Sequence, residues 1–386
     1  MLKKGLFLLF MLIMVFILFG CGEDRAAPEE ELDDPVDEAE DEELEWKIGI
    51  MTSTAYQNEE EFLMAAAMLE KYGPDKIVHA TYPERFIKER EETSAAMLEM
   101  ASDSDLKAII MVQAVPGAVA AVEKVREVRP DMLVILGSPQ EDPDAVARVG
   151  DIILRIDEIG RGYQIAEQAA EMGAEVLVHY SFPRHMSIER LVERRRLMQE
   201  RAEDLGLLFV DEEAPDPGGE VGALGTQQFI TEDVSRKIEQ YGPDTAVFGT
   251  TCVMMEPMIK QVVEYGGIFP AQCCPSPYHG MPSAFGIEIP GDKKGDVSWL
   301  REQIASRIFE AGASGRVATW PVPVNMLFIE AGVEYAREWI HGNTTGTVDK
   351  AKMIEIMEGI SGYPASLSEY REMDNYFLYL SDHFIF

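Results

Sequence analysis

An α/β fold with two doubly wound lobes and parallel sheets is the class that the sequence predicts. From Trp46 onward, short apolar runs alternate with amphipathic segments in two successive rounds. Such alternation favours parallel strands joined by covering helices. About 340 residues follow the first 45, which is more than one hydrophobic core usually holds, so two lobes are expected.

The first twenty residues have the layout of a secretory signal. Lys3 and Lys4 precede an almost wholly apolar stretch, 5–20, and Cys21 follows Gly20 directly. The ending Leu-Phe-Gly-Cys resembles the lipobox of bacterial lipoproteins, which implies cleavage before Cys21 and lipidation of that residue. An uncleaved membrane anchor is the alternative, since about sixteen apolar residues fall just short of a full span. Both interpretations place the body on the outer face of the cytoplasmic membrane.

Residues 21–45 are predicted to be a disordered acidic tether. The stretch 23–45 holds fourteen acidic residues and one basic residue, and such a run repels itself and buries little surface. The formal net charge of the whole chain is −35. This charge argues against a nucleic-acid partner and against docking on anionic lipid, because both need a basic face.

The first lobe is expected over residues 46–157. Gly73 and Pro74 end its first helix, and the unbroken apolar run 106–112 is typical of a strand in a parallel sheet. The predicted strands are 47–51, 76–81, 106–112, 132–136 and 152–156. The predicted helices are 59–72, 85–102, 117–128 and 144–149.

The second lobe is expected over residues 158–290. A buried strand breaks at Pro183 and is followed by a charged helix, and the helix stop Tyr-Gly-Pro-Asp of 72–75 recurs at 241–244. The predicted strands are 175–180, 207–210, 245–249 and 268–271. The predicted helices are 159–172, 188–205, 229–241 and 256–265, and a long loop covers 273–290.

Residues 291–386 are expected to supply the hinge-crossing helices and to complete the lobes. Helices are predicted at 299–311, 325–341 and 348–359, and a strand at 374–380 could return to one of the sheets.

A ligand is expected between the lobes, because open α/β sheets bind ligands at the carboxyl ends of their strands. The side chains next to these predicted ends are mostly neutral hydrogen-bonding groups and tyrosines, a mixture that suits a small polar molecule. They are Thr52, Ser53, Tyr56, Gln57, Gln113, Ser138, Tyr180, Ser181, Arg184, His185, Thr250, Thr251 and Tyr278.

Arg184 is the only cation in that set, and it precedes a predicted helix start. A cation at a helix amino terminus predicts an anionic group, such as a carboxylate, at one end of the ligand. Other interpretations stay open: Arg184 pairs with a nearby acid, His185 is a satisfied loop residue, and Thr250 and Thr251 only end a strand.

The sequence offers no constellation that requires catalysis. The nucleophile-elbow, phosphate-loop and dinucleotide-binding patterns do not occur, and histidines and cysteines do not show coordination spacing. Cys252, Cys273 and Cys274 are consistent either with one disulfide from Cys252 to the adjacent pair or with three buried thiols. The chain is therefore predicted to be a binding protein without catalytic residues, cofactor or metal.

Residues 46–386 resemble the type I periplasmic substrate-binding proteins, which have two Rossmann-like lobes joined by a hinge. The stretches 181–187 (Ser-Phe-Pro-Arg-His-Met-Ser), 281–290 and 374–386 resemble more closely a family of bacterial lipoproteins of unknown function. The basic membrane lipoproteins, which bind nucleosides, are more distantly similar. They carry an acid after the first strand, and the loop 52–57 has none, so a nucleoside ligand does not carry over.

The resemblance implies a lipid-anchored receptor that hands a small solute to the permease of an ABC-type transporter. A sensory binding protein that acts on a membrane partner without transport is the alternative. An enzyme on the same scaffold is a third, weaker alternative.

Overall fold

The structure, a computed structural model, describes residues 46–386. The expected signal, the lipidation at Cys21 and the acidic tether lie outside the described residues. Within the described part, no helix combines the length and apolar character that a membrane crossing requires.

Twelve strands and twelve helices are formed within residues 46–386. The strands are β1 (Lys47–Thr52), β2 (Ile77–Thr81), β3 (Leu106–Val112), β4 (Leu133–Gly137), β5 (Ile152–Ile156), β6 (Val176–Ser181), β7 (Leu208–Glu213), β8 (Thr245–Gly249), β9 (Ala318–Thr319), β10 (Ala365–Glu369), β11 (Tyr376–Ser381) and β12 (Phe384–Ile385). The helices are α1 (Glu59–Tyr72), α2 (Arg90–Ala101), α3 (Ala118–Val128), α4 (Pro143–Val149), α5 (Arg161–Glu171), α6 (Glu189–Asp204), α7 (Gly222–Tyr241), α8 (Met255–Tyr265), α9 (Met281–Phe285), α10 (Val297–Glu310), α11 (Val324–Ile340) and α12 (Lys350–Ser361).

The first lobe is built on a seven-stranded sheet in the order β10-β11-β5-β4-β3-β1-β2. All neighbours are parallel except the β10–β11 pair at one edge. Helices α1, α11 and α12 cover one face of the sheet, and α2, α3 and α4 cover the other. Because both faces are buried, the central strands β3 and β4 are apolar throughout except for Lys107, as expected of a parallel sheet.

The second lobe is built on a three-stranded parallel sheet in the order β7-β6-β8. Single bridges from Ala246 to Ile268 and from Phe269 to Val317 extend it. Helices α5 and α6 pack on one face, and α7 to α10 pack on the other. Gly162 allows the close approach of α5 to α6, since a Cβ there would lie 2.3 Å from the carbonyl oxygen of Arg194.

The chain passes between the lobes three times. The first passage, 157–160, joins β5 to α5; the second, 320–323, joins β9 to α11; and the third, 382–383, joins β11 to β12. The antiparallel pair of β9 and β12 lies beside these passages. The carboxyl-terminal quarter of the chain therefore contributes elements to both lobes.

Several predicted elements differ from those observed. The predicted strand 268–271 is reduced to two isolated bridges, and the helix expected from Phe229 begins at Gly222. The predicted helix 85–102 begins only at Arg90, because residues 84–88 form turns. Strand β10 gave no apolar signal, because it lies at the exposed edge of its sheet.

Candidate ligand site between the lobes

A cavity of about 230 Å³ lies between the lobes, at the edge where the parallel strands end. Both lobes and the first of the passages contribute to its wall, so it is the described cavity that best matches the expected site. It is lined by Asn58, Glu60, Gln113, Ser138, Ile156, Glu158, Arg161, Cys273, Cys274, Pro275, Ser276, His279, Val324 and Asn325.

Two strand ends of the first lobe form one side of this interlobe cavity. Gln113 and Ser138 follow β3 and β4 with φ angles of 55° and 47°, left-handed conformations that side chains other than glycine rarely adopt. Ser138 Oγ donates to Asn325 Oδ1 over 2.7 Å, and Gln113 Oε1 accepts from Gln140 over 3.0 Å. Both residues with this unusual backbone line the cavity. Strained backbone conformations of this kind are common at functional sites.

A buried carboxyl group, Glu61, supports this wall from the first turn of α1. Its Oε1 accepts 2.8 Å hydrogen bonds from Asn58 and Asn325, and Ser53 Oγ donates to Oε2 over 3.3 Å. Burial raises the pKa of Glu61 to about 8, although the hydrogen bonds oppose the shift. Glu61 therefore holds Asn58 and Asn325 in place and is protonated near neutral pH.

Glu60, the neighbouring acid, reaches across to the second lobe. Ser276 Oγ donates to Glu60 Oε1 over 3.0 Å, and His279 Nε2 lies 3.6 Å from the same oxygen. Burial raises the pKa of Glu60, while the charge of His279 counteracts the shift. Burial alone would lower the pKa of His279, but its contact with Cys274 and the charge of Glu60 raise it to about 9. A charged polar contact thus joins the lobes at the cavity.

Arg161 is the buried cation of the second-lobe wall. Its side chain is 1% exposed, and its two terminal nitrogens donate to the carbonyl oxygens of Cys273 and Gln272 over 2.8 and 2.6 Å. Its guanidinium also lies over the Trp320 ring, 5.5 Å from the centroid. Desolvation lowers the pKa of Arg161 to about 10, so the group stays protonated at neutral pH.

No carboxylate in residues 46–386 forms an ion pair with Arg161 or with its buried neighbour Arg194, which is 4% exposed. A buried charge is costly unless it is paired. An anion placed in the cavity would compensate this charge.

Three thiols converge on the same wall. The sulfur of Cys252 lies 3.1 Å from that of Cys273 and 3.3 Å from that of Cys274, and the last two are 3.7 Å apart. All three are free cysteines, and Cys252 and Cys274 are exposed. Cys273 is half-buried, so the alternative of three buried thiols is wrong for all three residues. The spacing in the sequence also gave no sign that the three sulfurs would meet.

Some predicted ligand residues are brought to the cavity or directly behind it. Gln113 and Ser138 line it. Thr52 and Ser53 are buried behind the wall, where Thr52 Oγ1 lies 2.8 Å from His79 Nε2 and Ser53 contacts Glu61. Tyr278 is half-buried beside the lining loop, and its backbone N–H donates to Ser276 Oγ over 3.1 Å.

Four predicted residues of the second lobe form a separate hydroxyl cluster. Thr250 Oγ1 lies 3.1 Å from both Ser181 Oγ and His185 Nδ1, and the His185 ring stacks on Phe182. Thr251 is half-buried and directly precedes Cys252. Ser181, His185 and Thr250 satisfy one another, which matches the open interpretation of His185 as a satisfied loop residue.

The structure corrects the expected positions of the remaining four. Tyr56 is 90% exposed, and the exposed side chain of Gln57 donates to the carbonyl oxygen of Glu84. Tyr180 is fully buried inside the second lobe, where its hydroxyl donates to Asp233 over 2.9 Å. Arg184 pairs with Asp216 through two 2.8 Å hydrogen bonds at the surface. None of these side chains lines the cavity.

Sequence reasoning missed most of the residues that do line it. Arg161 lies at the start of a helix after the first lobe's last predicted strand, a position that indicates a passage between lobes but not a ligand contact. Glu60 and Glu61 were attributed to an amphipathic helix, where acids in the first turn are common. Asn325 and His279 carry no motif that the sequence alone could identify.

Residues 46–318 match a protein family described as "Protein of unknown function (DUF3798)". The chain belongs to this family. Two uncharacterized proteins of Treponema pallidum (strain Nichols) are similar to this DUF3798 protein. One is 39% identical over 172 residues, covering 45% of this chain and 80% of the relative. The other is 35% identical over 181 residues, covering 45% and 82%.

Solved structures show the fold class independently. A Clostridium difficile 630 protein, described as a "Putative transcriptional regulator", superposes with a TM-score of 0.84 at 24% identity, covering 89% of this chain and 99% of that one. A sugar ABC transporter protein from Actinomyces odontolyticus ATCC 17982 gives a TM-score of 0.51 at 9% identity, covering 78% and 85%. These similarities confirm the predicted fold, a mixed α/β architecture with parallel sheets like that of the type I periplasmic solute-binding proteins.

Proposed function

We propose that this DUF3798 protein is a lipid-anchored, extracytoplasmic solute-binding protein that delivers its ligand to the permease of an ABC-type transporter. The ligand is a small polar molecule with an anionic group. The observation that carries the proposal is the interlobe cavity, whose wall holds the buried guanidinium of Arg161 without an ion pair to any carboxylate in residues 46–386.

The chemistry of the cavity supports capture rather than turnover. Gln113, Ser138 and Asn58 offer neutral hydrogen-bonding groups, while Arg161 offers a fixed positive charge. A volume of about 230 Å³ suits a small metabolite better than a drug-sized ligand, for which about 300–1,000 Å³ is usual.

The connections between the lobes support a closing motion. Three short passages can act as a hinge, since a few residues between rigid bodies absorb the change in backbone angles. The contact of Glu60 with Ser276 and the ion pair of Glu59 with Lys294, whose charged atoms are 2.6 Å apart, join the lobes on the cavity side. A bound solute would add its own contacts to both lobes and stabilise this arrangement.

Thermal unfolding in the presence of a metabolite library, together with mass spectrometry of ligands retained during purification, tests the proposal. A carboxylate or phosphate compound is expected to raise the melting temperature, since a ligand at 100 times its Kd adds about 2.7 kcal/mol to the free energy of unfolding. Arg161→Met is expected to remove the shift, and Arg161→Lys is expected to retain part of it.

Arg184→Ala is the matched control, because it removes a surface arginine that lies outside the cavity wall. It should leave the ligand-induced shift unchanged. A library that produces no shift, or a shift that survives in Arg161→Met and disappears in Arg184→Ala, would contradict the proposal.

A further inference from the structure

The three converging thiols come from two neighbouring strand ends of the second lobe. Cys252 follows β8 at the start of the turn Cys252–Met254, and Cys273 and Cys274 follow the bridged segment 268–269. Their sulfur atoms all lie within 4.8 Å of one another. Residues separated by about twenty positions in the chain thus present three soft ligand atoms to one point.

We propose that Cys252, Cys273 and Cys274 bind one soft metal ion, such as Zn²⁺ or Cu⁺, on the second-lobe wall of the interlobe cavity. Thiolates select these ions over harder ones. The inference rests on the cysteine cluster and holds whether or not the protein transports a solute.

The spacing of the sulfur atoms fits such an ion. A tetrahedral site with Zn–S bonds of about 2.3 Å places its sulfurs about 3.8 Å apart. The observed separations of 3.1, 3.3 and 3.7 Å require only a small outward rotation of the side chains to reach that value. The three sulfur atoms therefore already lie close to the positions that they would take around a bound ion.

A single disulfide accounts less well for the arrangement. Cys252 is almost equally close to both partners, at 3.1 and 3.3 Å, so one bridge would leave the third sulfur in contact with it. A metal ion uses all three thiols. It also explains why the adjacent pair Cys273–Cys274 faces Cys252 with both members.

Two buried arginines lie beside the cluster. Arg161 donates to the carbonyl oxygen of Cys273, and the charges of Arg161 and Arg194 both interact with Cys273 and Cys274. Three thiolates around Zn²⁺ carry a net charge of −1, which balances only one of the two buried guanidinium charges. The other charge remains available for an anionic solute, so the two proposed sites are compatible.

The fourth coordination position would face the cavity. Cys273, Cys274 and His279 all line it, and His279 Nδ1 lies 3.3 Å from the carbonyl oxygen of Cys274. Three protein ligands with one open position leave room for the imidazole of His279, a water molecule or a group of the solute.

Metal titration of the reduced full chain in detergent, under anaerobic conditions, tests the site. The probes are Zn²⁺, Cu⁺ and Co²⁺, each in competition with a chromophoric chelator. One ion per chain is expected, and Co²⁺ should produce the near-ultraviolet charge-transfer absorption of a cobalt–thiolate bond. Each of Cys252→Ser, Cys273→Ser and Cys274→Ser should weaken binding by at least about tenfold, since losing a ligand costs no less than losing its outer-shell support.

Cys21→Ser is the matched control, because it removes the only other cysteine of the sequence. It should leave the stoichiometry and the cobalt spectrum unchanged, and circular dichroism should show that all variants are folded. If the reduced protein binds no ion, or the triple serine variant binds as tightly as the wild type, the proposal is wrong. If Cys252 forms a disulfide, and reduction of that disulfide does not produce metal binding, the proposal is also wrong.

Solute binding by the metal-free protein is measured separately. A protein that binds a solute but no metal ion would overturn only the metal site. A protein that binds a metal ion but no solute would overturn only the proposed transport role.

Discussion

Glu61 and Arg161 are buried ionisable residues on the first-lobe and second-lobe sides of the interlobe cavity. Their surroundings leave Glu61 neutral and Arg161 charged at neutral pH. Glu61 is surrounded by amide and hydroxyl donors, but burial dominates and favours its neutral form. Burial removes Arg161 from water as well, yet its pKa of about 10 keeps the guanidinium protonated at neutral pH. Glu60, Glu158 and His279 line the same cavity, so Arg161 supplies a local positive charge rather than a net one, and an anionic group of the ligand would bind beside it.

Glu61 should make the stability of the protein depend on pH. Its folded pKa of about 8 lies above the ordinary value of 4.5, so the stability it contributes is complete below about pH 4.5 and is lost as the pH rises through about 8. The loss amounts to roughly 5 kcal/mol. Glu61→Gln should remove this dependence and be the more stable protein at pH 9, as measured by urea unfolding between pH 5 and 9.

The control for that experiment is Glu91→Gln, which neutralises an acid that is 88% exposed. It should follow the wild-type pH profile. A profile of Glu61→Gln that coincides with the wild type would show that Glu61 is ionised in the folded protein.

At the scale of the elements, three described helices, α4, α10 and α12, begin at an aspartate whose side chain accepts a hydrogen bond from the first turn. Asp349 accepts from the backbone N–H of Lys352 over 3.0 Å and from both the backbone N–H and the hydroxyl of Thr345. It therefore fixes the loop before α12 as well as the helix itself. Helix α12 in turn covers the first-lobe sheet beside α11.

Asp349→Ala should lower the free energy of unfolding by about 1 to 2 kcal/mol, because it leaves helix amide groups unpaired. Chemical denaturation measures the change. Asp349→Asn keeps an accepting oxygen in the same place and should restore most of the loss. Equal destabilisation by both variants would assign the effect to charge instead of capping.

The elements themselves were predicted well where the chain is buried on both sides. Strands β1, β3, β4, β5 and β8 lie within two residues of their predicted bounds, because continuous apolar runs are a strong local signal. Strand β10 and the start of α7 were missed, because half-exposed segments carry little periodicity. The segment 268–271 has the composition of a strand, but too few neighbours pair with it to form a full ladder.

At the scale of the whole molecule, polar contacts join the two lobes beside the cavity. Glu60 contacts Ser276 and His279, and Glu59 pairs with Lys294. Such contacts are weak enough to break during a hinge motion, since partly exposed ion pairs contribute about 0–1 kcal/mol each.

Combining Glu60→Ala with Lys294→Ala should therefore favour an open arrangement of the lobes. Small-angle X-ray scattering should detect a larger radius of gyration in this double variant than in the wild type without ligand. Lys352→Ala, which removes a charge from α12 on the first lobe, should leave the radius unchanged. An identical radius in the double variant and the wild type would show that these contacts do not hold the lobes together.

The sequence by itself determined the fold class, because buried strands and covering helices produce apolar runs and amphipathic segments that alternate along the chain. It also located two cavity residues, Gln113 and Ser138, since the ends of buried parallel strands can be read from the chain. Only the tertiary structure decided that Arg161, and not Arg184, is the cation at the cavity, and that three distant thiols meet. Such convergence depends on how the loops turn and where the chain passes between the lobes. Neither of these leaves a periodic trace in the sequence.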